Sequence, residues 1–344
     1  MNIEKSLEEQ IRYIWSNIKG FHIIHFIYTG NELELFSFID SAGKDGISIE
    51  KIASSKSLNL SYLSKWCMSG IAWGVLDDID GKVKLASQMK YLLTRPGDPR
   101  YLLPYIKSCI DHFGPDMKNH AKYFLSGKKY LFQDHGKNFS DDIGSITEGL
   151  QTLMANKILP ELNIIDKKLK NNANFLDFGC GTAKLLLKVS TKYPSSNFYG
   201  MDIDASGIKI GRRNIKQLNK EDIITLIDSN HDNPPSDESM DIVTMVEVLH
   251  EIDKKIRQNV LKNIAKLTKK DGYIVILDET MPNINELKDD KYSLSILTQY
   301  NEMTWGNEVP SEQEQNDLLL NAGFSIPERK IIGELFTLLV AKKI

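Results

Sequence analysis

From residue 174 onward, short apolar runs alternate with segments whose apolar positions recur every three or four residues. That alternation predicts strands and helices in turn, and so a largely parallel sheet covered on both faces. The strands fall near Phe175, Phe198, Ile224, Ile242, Ile274, Ile326 and Leu338. The last two, SIPERKIIG and ELFTLLVAKKI, are separated by a short turn with no helix, which predicts an antiparallel hairpin. The pattern before residue 100 is different. Residues 4–28 carry Ile11, Ile14, Trp15, Ile18, Phe21, Ile24, His25 and Tyr28 at helical spacing. A short helix follows over 31–39, and Ser48 caps another through Ile52 and Ala53, with Glu50 and Lys51 in its first turn. Residues 60–74 predict a further helix, and residues 75–85 a hairpin turning at Asp80-Gly81. Helix, turn, helix and hairpin together predict a winged-helix module.

Between these regions the chain passes Pro96, Pro99 and Pro104 into helix and then becomes dense in aromatics: Phe113, Tyr123, Phe124, Tyr130, Phe132 and Phe139. Such a segment packs a joint between domains or roofs a cavity. Tyr130 and Phe132, just after Gly127, are the candidates for a roof. A helix over 148–162 carries Met154 into the sheet region. Three regions follow: 1–95 as a winged-helix dimerisation domain, 96–165 as a helical linker and roof, and 166–344 as the sheet domain. The apolar stripe of residues 11–28 and the apolar helix around Trp66 and Ile71 predict cover by a second copy, hence a homodimer.

At 344 residues, with 41% apolar and 26% charged content, the chain has the makings of an ordinary soluble protein with room for two domains. A formal charge of −3 gives no general attraction to nucleic acid or to acidic membranes. Charge also weighs on the winged helix. Residues 1–50 carry four Lys or Arg against eight Asp or Glu, and residues 51–100 carry eight against four. A DNA reader needs a basic face, whereas the would-be recognition helix LSYLSKWCMSGIAWGVL offers only Lys65. Three widely spaced cysteines, without CxxC, suggest reduced thiols and a cytoplasmic protein. The acidic start MNIEKSLEEQ does not resemble a signal peptide, and the apolar run 20–28 is too short to span a bilayer. Asp, Glu and His show no ligand spacing, so no metal site is expected.

The candidate chemistry centres on residues 174–187, NFLDFGCGTAKLLL, which read as strand, glycine turn and helix start. Gly179 and Gly181 permit tight backbone and leave room for a ligand, while the free amides of the helix start face it. Cys180 inside this turn reads as a small side chain or a reactive thiol. A GxG turn alone is a weak signal, but the next strand, NFYGMDI, ends in Asp202, twenty-one residues past Gly181. That is where a doubly wound sheet places a ribose-binding carboxylate. No basic residue lies between Asp177 and Ala183, so a pyrophosphate fits poorly and a ribose without phosphates fits better. Asp228, Asn230 and His250 also fall at carboxyl ends of strands, where such sheets bind ligands.

The residues LDFGCGTA followed by GMDID resemble the class I S-adenosylmethionine-dependent methyltransferases. The resemblance implies an α/β, Rossmann-like sheet with a terminal antiparallel hairpin, behind an all-α or winged-helix domain. It implies S-adenosylmethionine as cofactor, held by Asp177, Gly179, Gly181, Asp202, Asp228 and Asn230. A winged helix ahead of this sheet, together with VLHEID, is similar to the small-molecule O-methyltransferases of secondary metabolism. In those proteins a histidine followed by an acid is catalytic, which would make His250 the general base with Glu251 beside it. A later glutamate orients that histidine; the matching stretch TWGNEVPSEQEQNDLLLNAGF proposes Glu308. Met154 matches a methionine that contacts cofactor or substrate, with core packing as the alternative. The acceptor implied is a small molecule carrying a hydroxyl, with no nucleic acid or membrane partner. Two alternatives stay open: C- or N-methylation by proximity, with His250 only lining the pocket, and a cofactor-sensing, DNA-binding regulator.

Overall fold

The computed structural model describes residues 5–135, 137–333 and 335–344. The chain divides into two compact units, Met1–His112 and Phe113–Ile344. The stretch 96–165 is shared between them.

The first unit opens with a helix over Leu7–Glu32. Ser6 caps it by accepting from the Glu9 N–H, while the Glu9 carboxylate returns to the Ser6 N–H. The predicted stripe splits in two along this helix. Phe26 and Ile27 are buried in a core with Phe36, Ile39, Ile52 and Cys67. Earlier in the helix, Ile11, Ile14 and Phe21 are exposed, and Trp15 is 65% exposed. Three short strands, β1 (Ile47–Ser48), β2 (Leu76–Ile79) and β3 (Lys82–Leu85), form an antiparallel sheet in the order β1-β3-β2. Asp80 and Gly81 have φ of 51° and 78°, the two positive values a two-residue turn of this hairpin needs.

The second unit is built on seven strands: β4 (Asn174–Phe178), β5 (Asn197–Asp202), β6 (Ile224–Asp228), β7 (Met240–Val246), β8 (Thr268–Asp278), β9 (Glu328–Ile332) and β10 (Phe336–Lys342). Their order is β6-β5-β4-β7-β8-β10-β9. The first five are parallel, and β10 lies antiparallel between β8 and β9. The last strand pair starts later than the pattern suggests. Pro327 has no N–H for a ladder, and Ile326 before it is exposed.

Strand periodicity feeds two cores. Phe175, Ile242 and Val246 point to one face, packed with Leu186, Val189 and Ile208. Leu176, Val243 and Met245 point to the other, packed with Leu261, Ile264 and Leu319. Met154 is 0% exposed and belongs to the first core. That placement agrees with the core-packing alternative for Met154.

Candidate active site

The carboxyl ends of the parallel strands meet around the glycine turn. Gly179 has φ of 77°, and a Cβ built there would lie 2.4 Å from a Val248 methyl. This close approach sets the turn against the segment that carries His250, and only glycine permits it. Gly181, with φ of 48°, has nothing within 4 Å of a built Cβ, so open space lies over it. Its N–H donates to Asp202 Oδ2 at 2.7 Å, and the Asp204 N–H donates to Asp202 Oδ1 at 2.8 Å. Burial pushes the Asp202 carboxyl up against those bonds. Asp177 is buried and accepts from Thr244 Oγ1 at 2.9 Å. Burial, with the Asp202 charge adding to it, pushes its carboxyl up to about 8. At the end of β6, Asp228 accepts from the Asn230 N–H, and Asn230 Nδ2 donates to the Ile203 carbonyl, which ties β6 to β5. Burial pushes the Cys180 thiol up, which keeps it protonated and removes the reactive reading.

The space over Gly181 is thus open and flanked by carboxylates. Lys184, the first cation after the turn, is engaged with Glu148 and Ser145. A positively charged ligand with a ribose and no phosphates fits these residues.

His250 follows β7 and is 2% exposed. Its Nδ1 faces Asp278 Oδ1 at 2.6 Å. The N–H groups of Leu249 and Glu279 hold the Asp278 carboxylate at 2.7 Å each, and the His250 N–H adds a longer bond. Nε2 lies 3.4 Å from Glu302 Oε2. Burial disfavours the charged ring, but Asp278, Glu302 and Glu279 outweigh it and raise its pKa well above the ordinary histidine value. Burial pushes Glu251 up to about 8 and Glu279 up to about 7, in both cases against the His250 charge. Glu247, at φ of 58°, is also raised, by burial first and then by Glu279 and Asp278.

The assignment of Glu308 is corrected. Its carboxylate pairs with Lys254 at 2.5 Å, facing solvent, and only its N–H reaches the His250 carbonyl, at 3.1 Å. Buried Arg257 donates to the carbonyls of Ile252 and Glu308, which docks this segment without bringing the Glu308 carboxylate to the ring. The acids that do reach the ring are Asp278 and Glu302. Asp278 could have been suspected from ILDE at the end of a strongly apolar strand. Glu302, within a helix over Ser293–Glu302, carries no comparable local signal.

Two groups of acids gather around His250, which the spacing of Asp, Glu and His along the chain does not show. His250, Glu251 and Glu302 bring ligand atoms within 4.8 Å of one another, as do His250, Asp278 and Glu279. They converge from two adjacent strand ends and a helix.

Tyr130 and Phe132 sit in an aromatic cluster. The Tyr130 N–H donates to the Thr304 carbonyl, and its ring stacks with Tyr123. Phe132 meets Phe139 and Trp305 edge to face. Trp305 Nε1 and His135 Nε2 both meet Asp116 Oδ2, at 2.8 and 2.7 Å. The aromatic segment is therefore fixed to the stretch that carries Glu302.

A glycine turn after the first parallel strand, an acid ending the second, and an antiparallel hairpin closing the sheet define a class I S-adenosylmethionine-dependent methyltransferase fold. Residues 176–274 match the family described as Methyltransferase domain, and the sheet unit carries that domain. A demethylmenaquinone methyltransferase of Listeria welshimeri is 23% identical over 173 residues, 46% of this chain and 72% of that protein. Among solved structures, an O-methyltransferase family protein from Burkholderia thailandensis aligns with a TM-score of 0.77 at 16% identity, covering 99% of this chain and 98% of that one. Human N-acetylserotonin methyltransferase, solved in complex with SAM, also aligns at 0.77, with 15% identity and coverage of 100% and 99%. The whole chain shares the fold of these two solved structures. No described helix is long and apolar enough to cross a membrane.

Proposed function

We propose that the protein transfers the methyl group of S-adenosylmethionine to a hydroxyl of a small molecule, with His250 as general base. The observation that carries this reading is the pairing of His250 with Asp278 on a segment that abuts the glycine turn. Asp278 takes the Nδ1–H and, with Glu302, raises the proton affinity of the ring, so that Nε2, once deprotonated, is a strong acceptor for the proton of an incoming hydroxyl. Asp177, Gly179, Gly181, Asp202, Asp228 and Asn230 would hold the cofactor, which supplies an electrophilic methyl group. The chain's part is to orient the acceptor, to exclude water beneath the aromatic segment with Tyr130 and Phe132, and to take the proton at Nε2. Similarity to enzymes named for demethylmenaquinone and N-acetylserotonin supports a small-molecule acceptor.

His250→Asn should keep S-adenosylmethionine affinity by calorimetry and lower the methyl-transfer rate about 10²–10⁴-fold. A variant that turns over at the wild-type rate would refute the base and favour a carbon or nitrogen acceptor methylated by proximity.

The first unit we read as a winged-helix dimerisation domain of a cytoplasmic homodimer, supported by the exposed Ile11, Ile14, Trp15 and Phe21 on one long helix. A DNA-binding regulator gains no support, since this unit is neutral and its helix over Leu60–Ala72 exposes Tyr62 and Met68 beside Lys65.

A further inference from the structure

We infer that residues 117–132, which lead into the aromatic cluster, form a docking surface for an anionic lipid bilayer. Three observations support it. The first is charge. Between Asp116 and Asp134 the chain carries four lysines, Lys118, Lys122, Lys128 and Lys129, and no acid. All four are exposed. Lys129 pairs with Asp253 at 2.8 Å, and among the described residues Lys118, Lys122 and Lys128 form no ion pair. The formal charge of −3 averages over this segment and conceals it. Second, these lysines flank exposed apolar side chains. Phe124 is 74% exposed and Leu125 92%, and Leu131 is exposed as well. Phe124 lies one turn after His120, whose ring meets Tyr300 edge to face at 5.3 Å. That contact brings in the exposed face of the helix over Ser293–Glu302 that carries Leu297 and Tyr300. Third, the tip is held in place. The helix over His120–Ser126 ends on Gly127 at φ of 62°, whose N–H donates to the Tyr123 carbonyl at 2.8 Å. Tyr123 then stacks with Tyr130, ring centroids 6.5 Å apart, and the Tyr130 N–H is bound to the Thr304 carbonyl. Phe124 and Leu125 are thus presented outward on a fixed turn.

This composition selects the occupant. Lysines attract the phosphates of an anionic leaflet, at about fivefold in affinity each, while their stems lie along neighbouring apolar side chains. Phe and Leu at a helix end enter the boundary between headgroups and acyl chains. No described helix is long and apolar enough to cross a membrane, so the contact is with the surface. A second copy fits this face poorly, because two such faces would set lysine against lysine with no acid between them. The long first helix, with Ile11, Ile14, Trp15 and Phe21 exposed, bears the stripe suited to a copy. The docking segment ends in Tyr130 and Phe132, which roof the proposed acceptor site, so docking brings that roof to the lipid. This last consequence rests on the methyl-transfer reading; the docking does not.

The test is sedimentation of the full chain with vesicles of phosphatidylcholine containing about one-third phosphatidylglycerol, at about 0.1 M salt. Binding is expected to these vesicles and not to phosphatidylcholine alone, and should fall at about 1 M salt. Lys118→Gln, Lys122→Gln and Lys128→Gln together should weaken it about a hundredfold. Phe124→Ser with Leu125→Ser, both far from the core, should weaken it more than about tenfold. Leu218→Ser, exposed elsewhere on the same unit, should leave it unchanged. Absence of binding, equal binding to neutral and anionic vesicles, or binding unchanged in either the lysine or the Phe124 and Leu125 variant overturns the surface. A change from dimer to monomer in the Phe124 and Leu125 variant, read by sedimentation without vesicles, assigns the patch to a second copy and overturns it equally. No readout uses cofactor or turnover, so failure here leaves the methyl-transfer reading standing, and failure of His250→Asn to slow transfer does not touch the docking surface.

Discussion

Replacing Asp177 by Asn tests the electrostatics of the cofactor turn. Asp177 is buried at the end of β4, and its carboxyl is pushed from 3.8 up to about 8 by loss of water. Each pKa unit corresponds to about 1.4 kcal/mol, so holding Asp177 ionised in the folded chain at high pH costs on the order of 5 kcal/mol relative to the unfolded chain. The sign follows from proton counts. Between the unfolded and folded values the folded protein binds the extra proton, so stability is highest at acid pH, falls as pH rises to about 8, and then levels. Asn is neutral throughout, and its side-chain oxygen can still accept from Thr244 Oγ1. Asp177→Asn should therefore gain little over wild type at about pH 4, gain steadily with rising pH, and exceed it by several kcal/mol at about pH 9. Urea unfolding of the two proteins across that range measures the difference directly, because the other titrations are common to both. A difference that does not change with pH would refute the argument. The same variant should bind S-adenosylmethionine more weakly, because the cofactor's positive charge compensates the ionised form that Asn lacks.

Gly179→Ala should destabilise the unit by about 1–3 kcal/mol in urea unfolding and remove cofactor binding, since the new Cβ strikes Val248 and the residue sits at positive φ. Preserved cofactor affinity would refute it. Asp202→Ala should weaken S-adenosylmethionine binding roughly tenfold or more in calorimetry with the fold intact by circular dichroism, because the Gly181 N–H and the ribose lose their charged acceptor. In sedimentation, the wild type should run as a dimer and Trp15→Lys, with Ile14→Lys, as a monomer; a monomeric wild type at micromolar concentration would refute the assignment.

What the sequence makes legible is what its local grammar carries. The alternation of Phe175 with Leu176 and of Ile242 with Val243 announces strands buried on both faces, and the structure sends those neighbours into two separate cores. The glycine turn and Asp202 are legible for the same reason, since one βαβ unit fixes their spacing. The ring environment of His250 is of another kind. Asp278 reaches Nδ1 because β7 and β8 pair in register, Val246 beside Leu277. Glu302 reaches Nε2 because the aromatic segment and Trp305 hold the following stretch in place. Neither fact lies in a local pattern, and a search guided by resemblance settles on Glu308, whose backbone docks on His250 while its carboxylate turns to Lys254. The same argument explains why the gathering of acids around His250 is invisible along the chain. A site assembled from the ends of neighbouring strands has its geometry set by sheet register, so its members are found by asking which residues end adjacent strands, and His250, Asp278 and Glu279 answer that question together.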